Sequence, residues 1–209
     1  MTKPNKTTCP CGGQCTCKKQ KLPVYLDTET TGLWADMGDE MLEIAIVEQD
    51  GSVLLNTFVK PKHKRHWPDA MAVHHITPNM VKDAPTLDDI ADQIIDALVG
   101  RTVYIWNAPF DAQFVGFALE YAKETVCAMR EFGNFIERTQ PHNASHSGRY
   151  KLDRTAHDLG VEIDGKPHRA LTDVITTIHV HQAWLKLDQQ NSDKQLAGNI
   201  NTPPYQEQP

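Results

Sequence analysis

The chain has 209 residues, 40% of them hydrophobic and 23% charged, with a formal net charge of −6. That size and balance suit one globular domain with tails, and the acidic excess argues against a protein that grips long nucleic acid by charge alone. No run of about 18 apolar residues is present, so no membrane span is expected, and the polar N-terminus lacks the apolar core of a secretory signal, which makes the cytoplasm the default location.

Residues 1–21 are rich in Lys, Thr, Gly and Cys without apolar periodicity and read as a flexible tail. Order is expected from Leu22, with strands at Val24-Tyr25-Leu26, Leu42 to Val47 and Val53 to Val59; Asp50-Gly51 marks a hairpin turn between the last two. Residues 60–85, carrying Pro61, Pro68, Pro78 and Pro85, read as irregular. Thr86 with Asp89 forms a capping box for a helix whose apolar positions run from Leu87 to Leu98, and Gly100 stops it. A strand follows at Thr102 to Trp106, then a helix opened by Pro109 with Phe114, Val115, Ala118 and Tyr121 on its apolar face. Thr125 to Met129 reads as a short buried strand that puts Cys127 in the core, while His142 and His146 sit in a polar surface loop. Helices are expected at Leu152 to Leu159 and at Arg169 to Leu187, the latter with Ala170, Val174, Thr177, Ile178, His181 and Leu185 on its inward stripe. Residues 189–209 are polar and read as a disordered tail. Strands followed by alternating helix and strand imply an α/β domain over residues 22–188, a mixed sheet with helices packed on it.

Three places carry chemistry. Asp27 and Glu29 stand two apart at the end of an apolar strand, so both carboxylates share one face. Like charges that close repel unless a cation lies between them, and Mg²⁺ or Mn²⁺ favours such oxygens; two solvated acids at a strand end is the competing reading. Asp111 lies on the face of its helix that carries Phe114, Val115 and Ala118, where a carboxylate is costly unless paired or metal-bound; an ordinary first-turn acid is the alternative. Asp173 lies on the inward stripe of the last helix, with His168 in the Gly165- and Pro167-shaped loop before it.

Taken in order, Leu26-Asp27-Thr28-Glu29-Thr30-Thr31-Gly32-Leu33, Leu42-Glu43-Ile44-Ala45, Val73-His74-His75-Ile76-Thr77, Asn107-Ala108-Pro109-Phe110-Asp111 and His168-Arg169-Ala170-Leu171-Thr172-Asp173 resemble the motifs of the DEDDh exonuclease superfamily, which has a ribonuclease H-like fold. The wording is similar to the proofreading-subunit and exonuclease X branches. The resemblance implies a 3′→5′ exodeoxyribonuclease that releases nucleoside 5′-monophosphates from DNA 3′ ends, single-stranded or frayed. It implies Asp27, Glu29, Asp111 and Asp173 as ligands of two divalent ions, Mg²⁺ or Mn²⁺, and His168 as general base, a task suited to imidazole's ordinary pKa of about 6.5. It further implies substrate contacts at Thr30, Thr31, Gly32, Leu33, His74, Asn107 and Phe110, with Gly32 leaving room for the 3′ end and Leu33 as an apolar wedge; core packing is the competing reading for Leu33 and Phe110. Two positions depart from the pattern: His75 stands where Gly is common, and Trp106 where His or Tyr is frequent, either stacking on a base or filling the core.

Ribonuclease T and oligoribonuclease share the same five residues, so an exoribonuclease is an alternative, and a catalytically inactive nucleic-acid-binding module is another of a different class. A polymerase partner is not evident, since the polar C-terminal segment offers no docking helix. Lys60 to His66 is a basic run that reads either as a guide for phosphates or as a solvated loop. Cys9, Cys11, Cys15 and Cys17 read either as a four-thiolate Zn²⁺ clip or as part of the flexible tail.

Overall fold

In the computed structural model of the chain, residues 21–145 and 147–200 are described, the side chains of 195–200 excepted. The Zn²⁺ clip at Cys9, Cys11, Cys15 and Cys17, the N-terminal tail to residue 20, His146 and the segment 201–209 lie outside the described residues.

Five strands make one mixed sheet: β1 (Val24–Thr30), β2 (Met41–Glu48), β3 (Val53–Phe58), β4 (Thr102–Ile105) and β5 (Glu124–Cys127), in the order β3-β2-β1-β4-β5. β2 runs antiparallel to both β1 and β3, whereas β4 lies parallel to β1 and β5 parallel to β4. The helices are α1 (Pro68–His74), α2 (Pro78–Val81), α3 (Leu87–Leu98), α4 (Ala108–Leu119), α5 (Ala128–Thr139), α6 (Leu152–Asp158) and α7 (Ala170–Ile200). Both faces of the central strands are covered, which is why β1 and β2 read as unbroken apolar runs instead of alternating ones. Val24 and Leu26 face α3 and α4 in a cluster with Ile44, Ile94, Ile105 and Val115. Tyr25 faces the other way, against Ala170, Val174 and Ile178 of α7.

The second, third and fourth strands and α3 match the expectations to within a residue or two, while β1 runs four residues beyond Leu26 to Thr30; Asp89 accepts the Thr86 backbone N–H at 2.8 Å as the capping box requires. Other expectations fail for physical reasons. The stretch 60–85 is not wholly irregular: Pro68 and Pro78 each open a short helix, where a missing N–H costs nothing. β5 is an edge strand, largely exposed, with Cys127 only half-buried. Tyr121 lies beyond the end of α4 and is 53% exposed. On α7 the buried stripe drifts with the 3.6-residue turn, so Trp184 is buried and Leu185 exposed. Residues 189–200, expected to be disordered, continue α7. A helix already nucleated needs only propagation, the next Pro is Pro203, and both Asp188 carboxylate oxygens accept Arg138 Nη2 at 2.8 Å beside that extension. Among the described residues no helix is long and apolar enough to cross a membrane.

Candidate active site

The site forms where the parallel strands β1 and β4 end. Odd positions of β1 face α7, so Asp27 and Glu29 follow Tyr25 on that side. Asp173, in the first turn of α7, meets them there. The loop before α7 brings His168 alongside, in a left-handed conformation (φ 60) that non-glycine residues adopt at a cost. Ligand atoms of Glu29, His168 and Asp173 all lie within 4.8 Å of one another. Asp111 arrives from the opposite face of the sheet, on the first turn of α4 directly after β4. It is 2% exposed, and its Oδ1 accepts both the backbone N–H (3.0 Å) and the hydroxyl (2.8 Å) of Thr28. The structure thus brings all five expected catalytic residues to one end of the sheet.

The four acids are uncomfortable as carboxylates. Burial, then the charges of Asp111, Glu29, Asp173 and Glu43, push Asp27 well above the usual range. Burial and the neighbouring Asp173, Glu43 and Asp111 push Glu29 up to about 8, with Arg169 opposing. Asp111 rises to about 7 through burial, against the Thr28 hydrogen bonds, and Asp173 to about 6 through burial, against the charge and backbone N–H of His168. Four carboxyls held above neutral comfort by burial and mutual repulsion are what a hard divalent cation would relieve, and all-oxygen donors beside an imidazole fit such an ion.

The expected substrate contacts divide. Leu33 is 63% exposed, which rules out core packing for it; Asn107 is exposed at the N-cap of α4, and Phe110 is half-buried against Phe114 at 5.5 Å. Thr30, Thr31, Gly32 and His74 are instead occupied by the fold. The Thr30 hydroxyl donates to Gly32 O at 2.6 Å, and the Thr31 hydroxyl donates to Asp39 while accepting Glu40 N–H at 2.9 Å. A Cβ on Gly32 would clash with the Asp39 carboxylate, so glycine there makes room for Asp39. His74 is 3% exposed; its Nδ1 accepts Ile76 N–H at 2.9 Å, which leaves Nε2 to donate to Thr30 O at 3.1 Å. Burial lowers its pKa and keeps it neutral, so it props the strand that carries the acids. His75, the departure from the motif, caps α1 with φ 61, the conformation for which glycine is easiest. Trp106 is buried with its indole N–H on Tyr150 O at 2.9 Å, a core role.

The basic run is folded around acids: Glu40 accepts the backbone N–H groups of Lys62, His63 and Lys64 at 2.6–2.9 Å, and the Lys64 ammonium lies 2.9 Å from Asp39. Two of its charges are thus paired, Lys62 with Asp88 and Lys64 with Asp39. Sequence reasoning missed three residues here. Trp34 and Met37, 58% and 76% exposed, extend the apolar surface begun by Leu33. Glu43 is buried beside the acids on β2, and a lone charge inside an apolar strand was the available signal.

The RNase_T exonuclease family matches residues 24–181. This chain belongs to the DEDDh exonuclease family. Its relatives include the uncharacterised exonuclease CP81 of Escherichia phage 186, 34% identical over 78% of this chain and 88% of the phage protein. Another is the DNA polymerase III subunit epsilon of Rickettsia prowazekii, 30% identical over 77% of this chain and 72% of that subunit. Among solved structures, Exonuclease X in complex with 5′ overhanging duplex DNA superposes with a TM-score of 0.54 at 25% identity, covering 76% of this chain and 89% of that one. The DEDDh exonuclease is accordingly a phosphodiester hydrolase acting 3′→5′ on a ribonuclease H-like fold, and its family uses divalent metal ions. Catalytic inactivity, weighed as an alternative, is set aside.

Proposed function

We propose that this exonuclease removes nucleotides from the 3′ ends of DNA, with Asp27, Glu29, Asp111 and Asp173 holding two divalent ions, Mg²⁺ or Mn²⁺, and His168 acting as general base. The observation that carries the reading is the approach of Glu29, His168 and Asp173 ligand atoms to within 4.8 Å beside Asp27 and the buried Asp111. When bound, the ions supply Lewis-acid activation of water and neutralise charge on the scissile phosphate. His168, exposed at the mouth of the site, takes the proton of the attacking water and passes it to solvent. Thr28 fixes Asp111 through one oxygen, leaving the other free for a ligand. Leu33, with Trp34 and Met37 beside it, offers an apolar surface to the terminal bases. The bond from phosphorus to the 3′ oxygen breaks, and a nucleoside 5′-monophosphate leaves.

DNA as substrate is supported by kinship to a DNA polymerase subunit and to an exonuclease solved with duplex DNA. The same kinship makes a replicative polymerase the first partner to test, since α7 reaches Ile200 and the expected lack of a helix there does not hold. The deciding experiment is a time course on 5′-labelled single-stranded DNA, duplex DNA and RNA of one sequence, with Mg²⁺, with EDTA, and with Asp27→Ala. A descending DNA ladder abolished by chelator and by the substitution is expected. Faster digestion of RNA would replace the substrate, and full activity of Asp27→Ala would move the site elsewhere.

A further inference from the structure

Glu29 and Glu43 are cross-strand partners on β1 and β2, a pairing of like charges that sheets ordinarily avoid. Glu43 is 4% exposed and tied up on its far side. Its Oε2 accepts Arg169 Nε at 3.0 Å and its Oε1 accepts Arg169 Nη2 at 2.6 Å, the bidentate geometry that fixes a guanidinium in both position and plane. Oε2 also accepts the backbone N–H of Ala170 at 3.1 Å, so the same carboxylate caps α7. Phe58 completes the clamp, with the guanidinium carbon 5.1 Å from its ring centroid. The chain just before is held more lightly: Asp164 to His168 are all exposed, Gly165 has φ 111, and His168 itself sits at φ 60, with its backbone N–H on the Asp173 carboxylate. The residue with the costly backbone conformation is thus an exposed one whose next neighbour is gripped at three points.

We propose that the Glu43–Arg169 clamp is a positioning device for His168, holding the imidazole at its working distance from Glu29 and Asp173. The inference rests on the reading of His168 as general base. Its reasoning is geometric: residue 169 is covalently next to the imidazole's backbone, a left-handed residue is kept only when its surroundings over-determine it, and misplacement of a reacting group by about 1 Å costs about 10²-fold in rate. Arg169 is specifically required, because lysine carries the charge without the fork.

The test uses the full chain with Mg²⁺ on 5′-labelled single-stranded DNA, comparing Glu43→Gln, Arg169→Lys, His168→Ala and the double substitution Glu43→Gln/His168→Ala, each checked by thermal melting. The expected result is a kcat lowered about 10²-fold in Glu43→Gln and in Arg169→Lys, with KM changed less than about threefold. In the His168→Ala background, Glu43→Gln should add less than about threefold, since two residues acting as one unit are not additive. A general structural role would instead multiply the two losses and overturns the inference. Wild-type kcat in both Glu43→Gln and Arg169→Lys beside a crippled His168→Ala overturns the inference alone. A His168→Ala enzyme at full rate overturns the reading of the base as well. Should Glu43→Gln fail to fold, Arg169→Lys and its His168→Ala double carry the same cycle.

Discussion

β1 and α7 meet at two levels, and the levels are built on opposite terms. At the lower one, the Tyr25 hydroxyl shares a hydrogen bond of 2.8 Å with His181 Nδ1, Tyr104 stacks on Tyr25 at 5.1 Å, and Trp184 closes the group 4.6 Å from the imidazole. Burial pushes His181 down to about 4 and Tyr25 upward, so both stay neutral and each satisfies the other. Two residues along the same strand, and two turns back along the same helix, Asp27, Glu29 and Asp173 are also brought together, each half-buried, but all three bring the same charge. The lower level is complete on folding. The upper one is left wanting a cation, which is the physical meaning of its raised carboxyl pKa values.

The contrast is broken most decisively by Asp27→Asn. If Asp27 is a metal ligand as proposed, initial rates should fall by more than about 10²-fold, since even outer partners matter about 10- to 100-fold. The melting temperature without metal should hold or rise as a like charge leaves the cluster. A fall of several degrees would mean that the acids support the fold, and the two levels would no longer differ. Next in size is the response to pH. Carboxyls raised to about 6, 7 and 8 in the folded state bind protons that the unfolded chain has already released. Stability of the metal-free protein is therefore present at low pH and lost as pH rises through the window from about 6 to 8. Melting curves in EDTA should show a midpoint several degrees higher at pH 6 than at pH 8, and Mg²⁺ should close the gap at pH 8; a flat profile would contradict the repulsion. The smallest effect belongs to the lower level. Tyr25→Phe leaves His181 Nδ1 buried without its partner and should cost about 1–3 kcal/mol, each kcal/mol lowering the midpoint by about 2–4 °C. Rates at 25 °C should be unchanged, and a lost rate would show that the levels communicate.

The sheet was legible because its strands announce themselves locally: apolar runs, the Asp50-Gly51 turn and the Thr86–Asp89 cap are neighbours in sequence. The acids were legible as a set only through resemblance, since nothing in their spacing says that Asp111, on the face opposite Asp27 and Glu29, reaches Thr28. What escaped reading shares one cause, dependence on a distant partner. Asp39 decides what Gly32 is for, seven residues away; Ile76 and Thr30 decide the tautomer of His74. The stripe of Phe132, Phe135 and Ile136 that buries α5 was hidden by Gly133 and Asn134, weak helix formers that tertiary packing overrides.

The helix that supplies both levels, α7, is among the last parts of the fold to be synthesised. Tyr25 and His181 are 156 positions apart, and Glu43 waits for a residue 126 positions downstream. A growing chain can lay down the antiparallel strands early, yet it owns neither His168 nor Asp173 until almost the whole domain has left the ribosome. If His168 and Asp173 act as proposed, a fragment cut short before α7 should lack nuclease activity.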